Sequence, residues 1–190
     1  MNKKNKRILI CLITIVILIV FDQYTKNLAV NHLMNKEPVD LINGVLQFCY
    51  LPNGNTGAAF GMLQGQQWLF LLIAGVISLA MFVIIYNMPF DKKYYLLIVL
   101  MTLIISGGIG NMIDRIKQSY VVDFIYFYLI DFPIFNVADI YVSVGTALLV
   151  ILIIFVYKEE DIKVLEHSVL AVFKKSKNKA QAEADKDTDK

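Results

Sequence analysis

Four runs of apolar residues, each long enough to cross a lipid bilayer, constrain this chain more than any other feature. They fall at about Ile8–Asn27, Trp68–Tyr86, Tyr95–Arg115 and Phe135–Tyr157. A helix rises about 1.5 Å per residue, so roughly 20 residues cover the hydrocarbon. Inside that layer the backbone must satisfy its own hydrogen bonds, which leaves helices or closed barrels. Continuous apolar runs select helices over alternating strands. A hydrophobic share of 57% and a mean hydropathy of +0.60 agree with this. The expected fold is an α-helical integral membrane protein of four transmembrane helices, with residues 1–157 forming one membrane domain.

The first run follows Lys3, Lys4, Lys6 and Arg7, as in a cleavable export signal. No small-residue cleavage site follows it; the run ends in Phe21-Asp22-Gln23, so it is expected to remain as the first span. Lys92, Lys93 and the lysines after Tyr157 share a side with the N-terminal cluster, while the other two loops hold only Lys26, Lys36, Arg115 and Lys117. The bias of Lys and Arg toward the cytoplasm then puts both termini on the cytoplasmic side. The segment Asn27–Gln67 is too long for a bare connection. Its stretch Val39–Leu51, ended by Pro52-Asn53-Gly54, predicts a short hairpin or small sheet on the outer surface. The Tyr- and Phe-rich Tyr120–Phe135 reads as an interfacial aromatic belt, as a rim touching a lipid substrate, or as both.

Residues 158–190 form a charged cytoplasmic tail. Ile162, Leu165, Val169, Val172 and Phe173 recur at helical spacing, which predicts an amphipathic helix on the inner leaflet over Asp161–Phe173. Lys174, Lys175, Lys177 and Lys179 could hold anionic lipid, but a solvated tail without function is the favoured reading. Ala180–Lys190 has the composition of a disordered end.

Polar residues gather at one end of the spans, in Asp22–Lys26, Asn55–Phe60, Asn111–Arg115, Val121–Phe124 and Asn136–Asp139. Acids at such depth mark function, because charge there is costly. Several chemistries are missing: the chain has no His-Glu-x-x-His, no Gly-x-Ser-x-Gly and no phosphate-binding glycine loop. Cys11 lies in an apolar run and Cys49 has no activating neighbour, so both read as structural. His32 and His167 lie apart, so neither a metal nor a cofactor is expected.

Carboxylates, amides and one Arg remain. Asn111, Asp114 and Arg115 share a helix face, and Gly107, Gly108 and Gly110 above them permit close approach of a neighbour. Asn136 and Asp139 share a face at the start of the last span, and Asp123 stands in the short connection before it. Two carboxylates at one site cannot both ionise easily; one keeps a proton while the other serves as a base. That pairing suits metal-free amide hydrolysis, with Asp123 and Asp139 as candidates. Asp114, beside Arg115, reads mainly as structural. A proton or ion carrier and a non-enzymatic scaffold are the competing readings. The first would place polar residues midway along several spans, where these spans are apolar. The second has no need of paired acids beside amides.

In sequence order, the motifs Asp22-Gln23-Tyr24-Thr25-Lys26, Asn55-Thr56-Gly57-Ala58-Ala59-Phe60, Gly107-Gly108-Ile109-Gly110-Asn111-Met112-Ile113-Asp114-Arg115, Val121-Val122-Asp123-Phe124 and Phe135-Asn136-Val137-Ala138-Asp139 resemble those of the bacterial lipoprotein signal peptidases, or signal peptidase II. The resemblance covers about Ile8–Tyr157. It implies an intramembrane aspartyl endopeptidase that removes signal peptides from diacylglyceryl-modified prolipoproteins, cutting N-terminal to the lipidated Cys. Carried over by motif, Asp123 and Asp139 are the catalytic pair. Asn55, Asn111, Arg115, Asn136 and Ala138 position substrate, Asp22 and Lys26 support the site, and Gly57 and Ala58 allow close backbone approach. The implied partners are prolipoproteins and membrane lipid, with no nucleic acid, and a monomer is expected because no span carries a dimerisation stripe. The long tail and Asp131 fall outside the family pattern.

Overall fold

The apolar runs become helices, the first of which runs well past its apolar stretch. The computed structural model describes residues 2–52, 54–57, 65–167 and 170. In it α1 is Lys3–Leu33, α2 Gln67–Asn87, α3 Tyr95–Gln118 and α4 Val137–Phe155. All four are long and apolar enough to cross a membrane, and with a small sheet at one end they make an α-helical integral membrane protein. Ala58 and Phe60 lie outside the described residues, as do Val169, Val172, Phe173 and the lysines beyond them. α1 runs on past Asn27 because a helix needs apolar side chains only where lipid surrounds it. Its last turns carry polar residues among the apolar ones, with the Asn31 side chain donating to that of Asn27 at 2.8 Å.

α3 is the central helix. Of its apolar window 56% is buried, against 17% or less for the others, and it packs on all three. Exposed Val16, Ile17, Val76, Leu79 and Ile154 line the outside of the bundle. In water such a surface would aggregate; in a bilayer it is the lipid-facing coat. Small residues set the tightest crossings. A Cβ at Gly107 would collide with the Ala138 carbonyl oxygen of α4, and one at Gly145 would lie 2.8 Å from Ile104 Cγ1 of α3.

Three strands sit at one end of the bundle: β1 Val39–Ile42, β2 Leu46–Phe48 and β3 Ile125–Tyr126, antiparallel in that order. The sequence anticipated the hairpin but not the third strand, which comes from the aromatic segment before α4. The hairpin reverses at Gly44, whose φ of +77° suits glycine, well before Pro52. Past β2 the chain keeps following the other strand: Cys49 N–H donates to Phe124 O at 3.0 Å, Leu51 N–H to Asp123 O at 3.2 Å, and Asn55 bridges Val121. Pairing that segment with residues 121–125 carries Asn55 to the side of Asp123.

At the opposite end Arg7 donates to the carbonyls of Met88 at 2.8 Å and Tyr86 at 3.1 Å. These are carbonyls that the end of α2 leaves without helical partners. A further helix over 159–167 is tied there by an ion pair between Lys93 and Asp161.

Candidate active site

Asp123 and Asp139 arrive by different routes. α3 ends at Ser119, left-handed at φ 64°, with its N–H on Arg115 O at 3.0 Å. That turn sends the chain straight into the paired segment that carries Asp123. Asp139 lies in the first turn of α4 and closes a capping box with Asn136. Asp139 N–H donates to Asn136 Oδ1 at 3.0 Å and Asn136 N–H donates to Asp139 Oδ2 at 3.1 Å. Two of the free donors at the helix start are thereby satisfied.

Asn136 also ties the two acids into one group. Its Nδ2 donates to Asp123 Oδ1 at 2.6 Å and to Asn111 Oδ1 at 3.1 Å. Asn111 in turn donates to Asp139 Oδ1 at 2.8 Å, and Asn55 donates to Asp123 Oδ2 at 2.8 Å. Each carboxylate thus accepts from amide groups, donors that cannot themselves be ionised. Asn136 is 0% and Asp123 1% exposed. Burial first, then the charge of Asp139, push Asp123 up to about 7, although both amides oppose the shift.

A second polar group lies behind the first. Lys26 Nζ sits 2.9 Å from Asp22 Oδ2 and 2.9 Å from Asp114 Oδ2, and it donates to Asn111 Oδ1 at 2.8 Å. Asp22 accepts from Ala138 N–H at 3.0 Å and Asp114 from Val122 N–H at 3.3 Å, so each fastens α1 or α3 to a segment bearing one of the acids. Gly110 leaves room for this, because a Cβ there would lie 2.6 Å from Asp22 Oδ2. Gly108 faces α2 more loosely, since a Cβ there would lie 3.5 Å from Ser78 Oγ. The structural reading of Asp114 had it beside Arg115; its ion pair is instead with Lys26.

Arg115 turns toward the opening. Its guanidinium donates to Gly57 O at 3.1 Å and Asn111 O at 3.3 Å and lies 4.7 Å from the Phe70 ring centre, while its buried Nε has no partner among the described residues. Asn55 turns the loop back on itself by accepting from Gly57 N–H at 2.9 Å. These groups border a cavity of about 820 Å³ lined by Asn55, Gly57, Asn111, Arg115 and Asp139 together with apolar residues of α2, α4 and the Phe132–Phe135 stretch. Asp123 is not part of that lining; Asn55 and Asn136 stand over its oxygens. Among the described residues no His, Cys, Asp and Glu cluster could hold a metal. Cys49 is buried, which pushes its thiol up and makes it a poor nucleophile.

The family model described as signal peptidase (SPase) II matches residues 14–155. The chain belongs to that family. A lipoprotein signal peptidase of Streptococcus agalactiae serotype Ia is 43% identical over 156 residues, covering 82% of this chain and 96% of the relative. One from Streptococcus pyogenes serotype M5 is 42% identical over 152 residues, covering 78% and 93%. Two solved bacterial membrane enzymes superpose with TM-scores of 0.66 and 0.64, each at 30% identity, over 77% and 75% of this chain and 94% and 85% of theirs.

Within this signal peptidase II fold, the sequence brought the polar clusters to one end but missed some contributors. Gln23, a motif residue to which the sequence assigned no role, donates to Asp114 Oδ1 at 2.8 Å. Gln67, at the start of α2, anchors the loop through Thr56 O at 2.6 Å. Phe70 is an ordinary apolar residue by spacing, and only the fold puts it against Arg115. Ala58 lies outside the described residues.

Proposed function

We propose that the chain is an aspartyl endopeptidase of the bacterial cytoplasmic membrane that removes signal peptides from diacylglyceryl-modified prolipoproteins, cutting on the N-terminal side of the lipidated Cys. The observation that carries this reading is the Asn136 side chain, held between Asp123 and the Asn111 amide that serves Asp139. Asp139 opens on the cavity, sits at a helix N-terminus that favours negative charge, and accepts from Asn111 and from the Asn136 backbone. It is the ionised partner, and Asp123 holds the proton.

Asp139 takes a proton from water as the water oxygen attacks the scissile carbonyl carbon. Asp123 gives its proton to the carbonyl oxygen, leaving a tetrahedral diol. The diol then collapses: the C–N bond breaks, the proton on Asp139 passes to the amine, and a diol hydroxyl returns a proton to Asp123. Asn55, whose amide covers Asp123, yields to the substrate carbonyl. Arg115 offers its guanidinium to the substrate backbone, and the glycine at 57 lets that backbone come close. Because the lipidated Cys keeps its acyl chains in the bilayer, the cut falls near the outer surface, where the sheet and the sites cluster when both termini are cytoplasmic.

The test is prolipoprotein maturation in cells lacking their own enzyme, complemented by wild type, Asp123→Asn or Asp139→Asn, with membrane levels measured alongside. Wild type should mature the lipid-modified precursor, and each variant should accumulate it uncut at normal abundance. Near-normal cutting by either variant removes that Asp from the pair.

A further inference from the structure

The cavity continues past the carboxylates. Beyond Asp139 it follows α4 along Ile140, Ser143 and Val144, with Phe70 of α2 also in its wall. Ser143 comes four positions after Asp139, so it occupies the same helix face about 6 Å further along the axis. Its hydroxyl has no hydrogen bond among the described residues. Thr102 and Ser106 of α3, by contrast, return theirs to the carbonyls of Ile98 and Thr102 at 2.7 Å. Ser78 and Thr146 also lack a partner, but neither lines the cavity.

A helical serine in hydrocarbon ordinarily bonds the carbonyl four residues back, which here is that of Asp139. A hydroxyl left over at this depth costs free energy until something accepts from it. An acyl chain has nothing to accept with; an acyl ester does. Resting on the peptidase reading above, we propose that the Ser143 hydroxyl recognises the diacylglyceryl group by donating to one of its ester carbonyl oxygens. That oxygen lies a handful of bonds of about 1.5 Å from the scissile amide, within reach of one helical turn beyond Asp139. Ile140, Val144 and Phe70 then receive the acyl chains. The hydroxyl makes the site selective, because a group built to bond a substrate oxygen rejects an analogue lacking it more sharply than an apolar groove rejects a change in length.

Two synthetic lipopeptides of one sequence test this, one carrying a diacylglyceryl Cys and the other a dialkylglyceryl Cys, in which ethers replace the esters. Full-length wild type should cut the ester peptide with a kcat/KM roughly two- to tenfold higher, the value of one neutral hydrogen bond. Ser143→Ala should lose that preference while cutting the ether peptide at the wild-type rate, and Ser143→Thr should keep it. The proposal fails if wild type shows no preference, if Ser143→Ala retains it, or if Ser143→Ala slows both peptides alike, which would make the serine a packing residue. Wild type that cuts neither peptide overturns the peptidase reading and this one together.

Discussion

Lys26 is the residue on which the two polar layers meet. It is 3% exposed and faces two carboxylates and the Asn111 oxygen. Removing its charge would leave Asp22 and Asp114 buried without a cation, a loss of about 3–5 kcal/mol for a broken buried pair. Lys26→Met should therefore lower the thermal unfolding midpoint in detergent and the amount of protein in the membrane; a midpoint equal to wild type would show that Lys26 has no such structural weight. On the proposed mechanism Asp123 sets the pH behaviour. Its proton is held up to about 7 in the fold, against an ordinary value of 3.8. Cleavage should fall as pH rises through about 7, in an assay where the substrate stays soluble, and a rate still climbing past pH 8 would contradict its role as the acid. The same shift makes this group's contribution to stability greatest below its ordinary value and lost as pH climbs to about 7. Residue type and order made Asp123 and Asp139 candidates for one site, and in the fold Asn136 and Asn111 link them. The three amides that bond them, Asn55, Asn111 and Asn136, were legible only as a list, since nothing in spacing says which amide serves which acid.

The helices owe their positions to a few close crossings. Gly107 and Gly110 abut α4 and Asp22 of α1, whereas Gly108 meets α2 at ordinary contact distance. Gly107→Ala should force α3 and α4 apart at Ala138 and cost both stability and activity, because the Ala138 N–H is the group that holds Asp22. Gly108→Ala should be close to neutral, or slightly stabilising through helix propensity. Equal losses from the two substitutions, measured by thermal unfolding, would remove the distinction. The glycine run announced close packing in the sequence, yet only the helix phase tells which glycine faces which neighbour. Likewise the strand at Ile125–Tyr126 hid in an aromatic stretch, because two paired residues are too few to show alternation.

For the molecule as a whole, the four apolar helices were fully legible, because a membrane admits so few alternatives, while the sheet was legible only in part. The proposed orientation rests on where Lys and Arg lie, and it can be measured. In a Cys11→Ala, Cys49→Ala background, Leu129→Cys at the sheet end should react with an impermeant thiol reagent added to intact cells. Lys92→Cys, at the opposite end, should react only after the membrane is opened; the reverse pattern would invert the topology. The reciprocal cap at the start of α4 bears also on how such a protein comes into being. Asn136 and Asp139 hold each other only once the first turn has wound, and Asp22 reaches Ala138 only once α1 lies alongside. On the proposed mechanism a chain still threading into the bilayer therefore carries an unarmed centre, and only completed assembly makes it a peptidase.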